Sequence, residues 1–361
     1  MRQFPIITDP TYHEKKHFSA FDQFWLDKIR DKRDLVLVYF TFRLIAIFIP
    51  MAILLYLALP LYLWIPLAIV YSYLNVFGYK SRFTLMLHIT SHRPWFKSEY
   101  NYLNKFLPWI LGPFMGQSPE AYFAHHIGMH HLEGNLEEDD STTMHYKRDS
   151  KADFSKYMLS FLFFGLFRLA AYFNKKNRPE LRNKSIIGES LFFIGAIVLS
   201  YFNWQATLVV FILPFITTRI TMMLGNWAQH SFIDASDPAN EYKSAITVIN
   251  HRFNQRCWND GYHISHHVKP SLHWTNHPAH LLENKQVYAD NGALVFEGIE
   301  FGGIWYNLMK KDYDKLASHV VNINGMYNSL EEIIAILKER IKPIAPVGLT
   351  MDSIRAAKKV A

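Results

Sequence analysis

The residues of this chain that could do chemistry are its histidines, 18 of them in 361 residues, and their placement is not scattered. His88 and His92 form an HxxxH motif. The run His125-His126-Ile127-Gly128-Met129-His130-His131 contains HxxxHH. Asn226 and His230 form NxxxH, and His263-Ile264-Ser265-His266-His267 is HxxHH. The pairs 88/92, 126/130, 226/230 and 263/267 share one spacing of four residues. On an α-helix such side chains lie on one face, with Cβ atoms roughly 5–6 Å apart. Four helices converging with two such residues each would offer one ligand per helix to each of two metals. His131 and His266 raise the set to nine imidazoles and one amide. His125 competes with His126 for its place, and the spacing favours His126.

Imidazole suits zinc, copper, iron and nickel, so ligand type alone does not choose the metal. Ligand number is more discriminating. A structural zinc site closes with four ligands, whereas nine or ten imply two metals with more than four partners each, which favours iron over zinc. Cys257 is the only cysteine, so there is neither a thiolate metal site nor a disulfide framework. His13, His17, His145, His251, His280 and His319 read as surface or satisfied side chains. His273 and His277 follow the last motif closely enough to support it. The segment Glu133-Gly134-Asn135 with Glu137, Glu138, Asp139 and Asp140 has two readings: carboxylates that orient the imidazoles, or a solvated acidic loop.

The elements that must position these motifs are apolar. Half of the residues are hydrophobic and 16% aromatic, yet the mean hydropathy is close to zero, so long apolar segments are diluted by an aqueous portion. Leu44 to Tyr79 carries no charge, long enough for two crossings of about 20 residues each, with Pro60 near the middle to break the helix. Lys28, Arg30, Lys32 and Arg33 precede this run and Lys80 and Arg82 follow it, which puts both ends in the cytosol by the positive-inside rule. A second run from Ile186 to Gly225 is interrupted only by Glu189 and Arg219 and divided at Asn203-Trp204-Gln205. The spans expected are 38–58, 61–80, 186–203 and 206–225. Residues 157–173 contain Arg168 and precede the basic Lys175, Lys176, Arg178, Arg182 and Lys184. A crossing there would put that loop on the wrong side, so an interfacial helix is expected.

The fold class expected is therefore all-α: an integral membrane protein with four transmembrane helices as two hairpins, interfacial helices, and a cytosolic helical cap over the metal site. Residues 1–34 read as a cytosolic N-terminal segment, polar and charged where a cleavable signal peptide would be apolar. Residues 35–285 read as the membrane domain and 286–361 as a cytosolic C-terminal region, in which 329–341 is an amphipathic helix capped by Ser329. The excess of 38 Lys and Arg over 31 Asp and Glu fits basic cytosolic flanks better than nucleic-acid binding.

With its motifs placed in this order, the chain resembles the membrane fatty acid desaturase superfamily over residues 40–285; that superfamily includes integral-membrane alkane and lipid hydroxylases. The resemblance implies a non-haem di-iron centre. One iron would take His88, His126, His263 and His266, with the amide of Asn226 behind a water; the other would take His92, His130, His131, His230 and His267. It implies reductive activation of O₂ and removal of hydrogen from an unactivated methylene, ending in a cis double bond or an alcohol. The HxxxHH second box occurs in alkane hydroxylases, whereas many desaturases carry HxxHH there, so a hydroxylase of fatty acids, sphingolipids or alkanes stays open. A metal transporter or zinc-dependent membrane receptor fits less well, because transporters hold ligands near the bilayer midplane.

Electrons must come from outside, since the chain shows no cytochrome b5 motif, flavin fingerprint or cysteine set for an iron–sulfur cluster. A separate donor, cytochrome b5 or a ferredoxin, is implied beside the membrane and a lipid or acyl substrate. Trp227, Trp258 and Tyr262 either line an acyl tunnel or anchor at the interface. Lys358-Lys359-Val360-Ala361 resembles a dilysine retrieval signal, which points to the endoplasmic reticulum with a cytosolic active site; a bacterial inner membrane is the alternative.

Overall fold

The computed structural model describes residues 2–360. The side chains of Lys358, Lys359 and Val360, and all of Ala361, on which the retrieval signal rests, lie outside the described residues. The chain is mostly helical. Helix α1 runs Leu35–Tyr56 and α2 Leu61–Tyr73, separated by a break at whose end Pro60 stands as the N-cap of α2. A π turn, Leu74–Tyr79, carries α2 into α3, Lys80–His92. Helix α4 is Lys151–Lys175. Helix α5, Pro179–Thr207, passes through a second π turn, Leu208–Ile212, into α6, Leu213–Gln229.

Among the described residues, four helical stretches are long and apolar enough to cross a membrane: Lys32–Tyr56, Leu61–His92, Lys151–Lys175 and Pro179–Gln229. The count agrees with expectation but the members differ. The two spans expected at 186–203 and 206–225 lie inside one 51-residue stretch, and α4, expected at the interface, meets the same criterion of length and composition. The division expected near Asn203 is present as a local break: Asn203 leaves helical geometry (φ −159°, ψ 97°) and its side-chain oxygen accepts from Ala206 N at 3.0 Å. Tyr201, Phe202 and Trp204 stand exposed around it, as aromatics do at a bilayer surface.

The chain divides into two compact units. One comprises Met1–Thr11, Ile127–Leu169 and Met222–Ala361; the other comprises Tyr12–His126 and Ala170–Thr221. In the second unit the charges that interrupt the apolar runs find one another. Arg219 pairs with Glu189, which also accepts from Ser118 Oγ at 3.1 Å. Lys80, expected as a free basic flank, is instead buried. Its ammonium donates to Pro214 O (3.0 Å), Thr217 Oγ1 (2.8 Å) and Thr218 Oγ1 (2.7 Å), because the first turns of α6 present three oxygens to it. Burying a cation is tolerable only with its donors so satisfied.

The first unit departs from an all-α reading. Strand β1 (Arg2–Gln3) pairs in parallel with β4 (Val321–Asn322), and β2 (Ile246–Ile249) with β3 (Leu294–Glu297). The Ile-Thr-Val-Ile run of β2 is buried at every position, the pattern of a strand covered on both faces. So short an apolar run has no periodicity to separate it from a helical segment. Behind it, Val248, Phe296, Ile304, Leu316, Ile333 and Leu337 share one core. The last two belong to a helix spanning Leu330–Arg340, whose N-cap Ser329 accepts from Glu332 N at 3.2 Å, as expected. Arg148, fully buried, ties this unit together through main-chain carbonyls alone, donating to Thr143, Met144, Tyr146, Ser231, Arg340 and Lys342.

Candidate metal centre

The histidine motifs sit where regular helix starts, stops or changes pitch. In the second unit the last turns of α3 carry His88 and His92, their ring centroids 5.3 Å apart. His126 joins them, its ring 4.4 Å from that of His88 and its Nε2 3.1 Å from His92 Nε2. Tyr122 stacks on His126 at 5.3 Å and holds its plane. His125 is not part of this group.

In the first unit His130, His230, His263 and His267 are all buried, with one ring nitrogen of each within 4.8 Å of the others. His230 follows the end of α6. His263 and His267 lie on a short helix, α7 (His263–Val268), which hangs from β2: Gly261 O accepts from Val248 N at 2.8 Å and Gly261 N donates to Asn254 Oδ1 at 3.0 Å. A Cβ at Gly261 would come within 2.5 Å of Val248 O, so only glycine permits this approach. His131 and His266 form a pair with Nε2 atoms 2.9 Å apart.

Two outer nitrogens of the quartet are anchored by hydrogen bonds and a third lies beside a carboxylate. His230 Nδ1 donates to Ser244 O at 2.9 Å; a carbonyl can only accept, so the proton is on Nδ1 and Nε2 carries a bare lone pair. His130 Nδ1 meets Asp139 Oδ2 at 2.6 Å, with the same consequence. His267 Nδ1 lies 3.1 Å from the Glu241 carboxylate, while its buried Nε2 has no hydrogen-bond partner. Where two inward nitrogens both carry bare lone pairs they repel, unless a cation lies between them or one ring holds its proton on the inward nitrogen and donates it. The separations agree with this: His263 and His230 Nε2 atoms are 3.1 Å apart, and imidazoles at about 2.1 Å from a metal and at right angles stand about 3 Å apart. The donor set fits a metal.

The electrostatics agree. Burial, then the neighbouring His267 and His130, holds His230 well below the usual imidazole range, so it stays neutral. Burial acts the same way on His130, but the Asp139 carboxylate outweighs it and raises the pKa. Asp139 and Glu241 each bring negative charge to a cation's surroundings through a ring.

The acidic segment is folded, not solvated. Gly134 and Asn135 both take left-handed backbone (φ 59° and 58°), reversing the chain so that Asp139 turns back on His130. Asp139 also accepts from Asn135 N, Ser141 N and Ser141 Oγ. Asp140 pairs with Arg168 at 2.6 Å, and burial pushes its carboxyl up to about 6 against that pull. Glu137 accepts from Val347 N and Leu349 N. Asn226 donates to Ser141 O and Tyr157 Oη, both at 2.8 Å, which leaves its oxygen as the amide atom able to meet a water.

Two expectations change. His88 and His92 stay together, as do His263 and His267, so a four-residue helical spacing does not send one imidazole to each of two groups. His126 and His130 do separate, because His126–His130 is a π turn, in which residues five apart come into line. Trp227, Trp258 and Tyr262 are buried, not interfacial: Trp227 donates to Arg148 O, Trp258 packs on Trp274 and Tyr262 donates to Asp9. Glu241 and Ser244, the partners of His267 and His230, carry no motif and were not found by spacing. His277 meets Ser265 Oγ at 2.7 Å, a support for α7 between His263 and His266. Other histidines have structural work: His145, His251, His273 and His319 bond loops and helix starts.

Compared with known proteins, the chain matches the family model described as fatty acid desaturase over residues 64–298, well over half its length. No curated protein and no solved structure matches it.

Proposed function

Because the chain belongs to the fatty acid desaturase family, an oxidoreductase family of the desaturase and hydroxylase kind acting on lipid at membranes, we propose that it desaturates a fatty acyl chain with O₂ at a histidine-ligated di-iron centre. The overall change is –CH₂–CH₂– + O₂ + 2 e⁻ + 2 H⁺ giving –CH=CH– + 2 H₂O. The observation that carries the reading is the buried quartet of His130, His230, His263 and His267, whose ring nitrogens converge and in which His130 and His230 are held from outside by acceptors. These four would hold one iron. His88, His92, His126, His131 and His266 complete the set of histidine ligands, and Asn226 would orient a water. When bound, the irons supply the reduction of O₂ and the oxidising power to break an unactivated C–H bond. The chain's own part is to keep His230 neutral by burial, to fix the tautomers of His130 and His230 through Asp139 and Ser244, and to exclude bulk water.

In this reading residues 1–34 and 286–361 are cytosolic and 35–285 form the membrane domain, with two hairpins at 38–58/61–80 and 186–203/206–225. Helix α4 lies at the interface, with Phe163, Phe164 and Phe167 exposed on it and Arg168 turned back to Asp140. The cytosolic face of the endoplasmic reticulum suits the site, and cytochrome b5 or a ferredoxin would supply electrons. The HxxxHH box keeps a hydroxylase as the second reading: the same site, with oxygen returned to the first carbon radical. Lipids of a host expressing the chain, analysed by gas chromatography–mass spectrometry beside a His267→Ala variant, test both. A new unsaturated species from the intact chain alone is the expected result. A new alcohol would move the chain to the hydroxylase branch, and equal products from the variant would break the metal assignment.

A further inference from the structure

In the second unit, one face of α5 carries a feature made of no histidine-motif residue. Trp109, Pro113, Leu191, Gly195, Leu199 and Phe211 are among the walls of a mostly apolar groove of about 260 Å³. Along α5, Lys184, Gly188, Leu191, Gly195 and Leu199 recur at steps of three and four residues, which places them in one stripe. The stripe has a basic head and an apolar tail. At its head Gly188 packs so closely that a Cβ would stand 1.8 Å from Pro119 O. At Gly195 a Cβ would meet nothing within 4 Å, so the missing side chain there leaves the groove open and serves no packing contact.

The mouth is polar and positively charged. Trp109, a lining residue, donates to Glu120 Oε1 at 2.7 Å; the same oxygen takes Lys105 Nζ at 2.6 Å, and Lys184 also acts on this carboxylate. Two exposed lysines against one buried carboxylate leave a surplus of positive charge. From Leu191 to Leu199 the helix rises about 12 Å, close to the depth of one leaflet's hydrocarbon, about 15 Å.

We propose that this groove binds a membrane phospholipid, its phosphate at Lys105 and Lys184 and one acyl chain running past Gly195 toward Leu199 and Phe211. The site rests on α5 lying in the bilayer and is independent of the metal reading. It is tested on the full chain purified in detergent, by native mass spectrometry during titration with phosphatidylglycerol and with diacylglycerol of the same chains. One phosphatidylglycerol should be retained per protein. Gly195→Trp, which fills the tail, should weaken retention of both lipids by about tenfold or more. Lys105→Glu with Lys184→Glu should weaken phosphatidylglycerol by about tenfold and leave diacylglycerol unchanged. Wild-type retention by Gly195→Trp with an unaltered unfolding temperature would overturn the tail assignment. Equal loss of both lipids in the double variant, or loss of neither, would overturn the headgroup assignment. Because both lysines are exposed, the double variant decides the matter should Gly195→Trp fail to fold.

Discussion

An imidazole becomes a better metal ligand when its far nitrogen gives its proton partly to an anion, and His130 is so placed. Asp139 Oδ2 lies 2.6 Å from His130 Nδ1, and the carboxylate is itself held by three further donors, so it cannot turn away. Asp139→Asn keeps the shape and removes the charge. It should lower metal affinity or activity by about 10–100-fold, read as metal content after dialysis against a competing chelator. Unchanged retention would confine Asp139 to folding its own loop. Glu241→Gln should have the smaller effect, because that carboxylate is partly exposed and stands 3.1 Å from His267. The two carboxylates also differ in how far they can be read from sequence. Asp139 lies in an acidic run beside a histidine motif, so its role is one of two visible alternatives. Glu241 lies far from His267 in sequence, and only the fold back through β2 brings them together.

Helical spacing finds the histidines but not their company, and pitch is the reason. The four-residue rule assumes 3.6 residues per turn, yet His126–His130 is a π turn, and an extra residue in one turn leaves no mark on residue types. The same holds for the π turns at Leu74–Tyr79 and Leu208–Ile212, inside apolar runs that read as plain helix. The break at Asn203 is legible because asparagine can cap the turn that follows it. Helix packing is testable at one residue. A Cβ at Gly188 would overlap Pro119 O at 1.8 Å, and the neighbour is backbone, so α5 must shift. Gly188→Ala should therefore cost about 1–3 kcal/mol or more, read as a lower unfolding temperature or lost expression. Gly195→Ala, on the same stripe, meets open space and should stay within about 0.5 kcal/mol of the parent. Equal behaviour of the two would mean that α5 does not rest on Pro119.

At the scale of the molecule, the quartet draws on segments distant in sequence yet within one compact unit. His130 comes from the turn before the acidic loop, His230 from the end of α6, and His263 and His267 from α7 on β2. Arg148 and the core behind β2 tie these segments together, and the Nε2 atoms of His230 and His263 stand 3.1 Å apart among them. With both Nε2 atoms bare their lone pairs would repel; His263 avoids this either by carrying its proton on Nε2 and donating it to His230 or by sharing a cation with it. A metal that binds the folded site and not the unfolded chain adds stability by mass action, about 3–4 kcal/mol when present at 100 to 1,000 times its dissociation constant. Stripping metal from the detergent-solubilised protein should therefore lower its unfolding temperature, and Fe(II) should restore it. Magnesium should not, because it prefers oxygen ligands. Identical melting before and after chelation, with metal loss verified by elemental analysis, would mean that the quartet is held by packing alone, and the di-iron reading would lose its structural support.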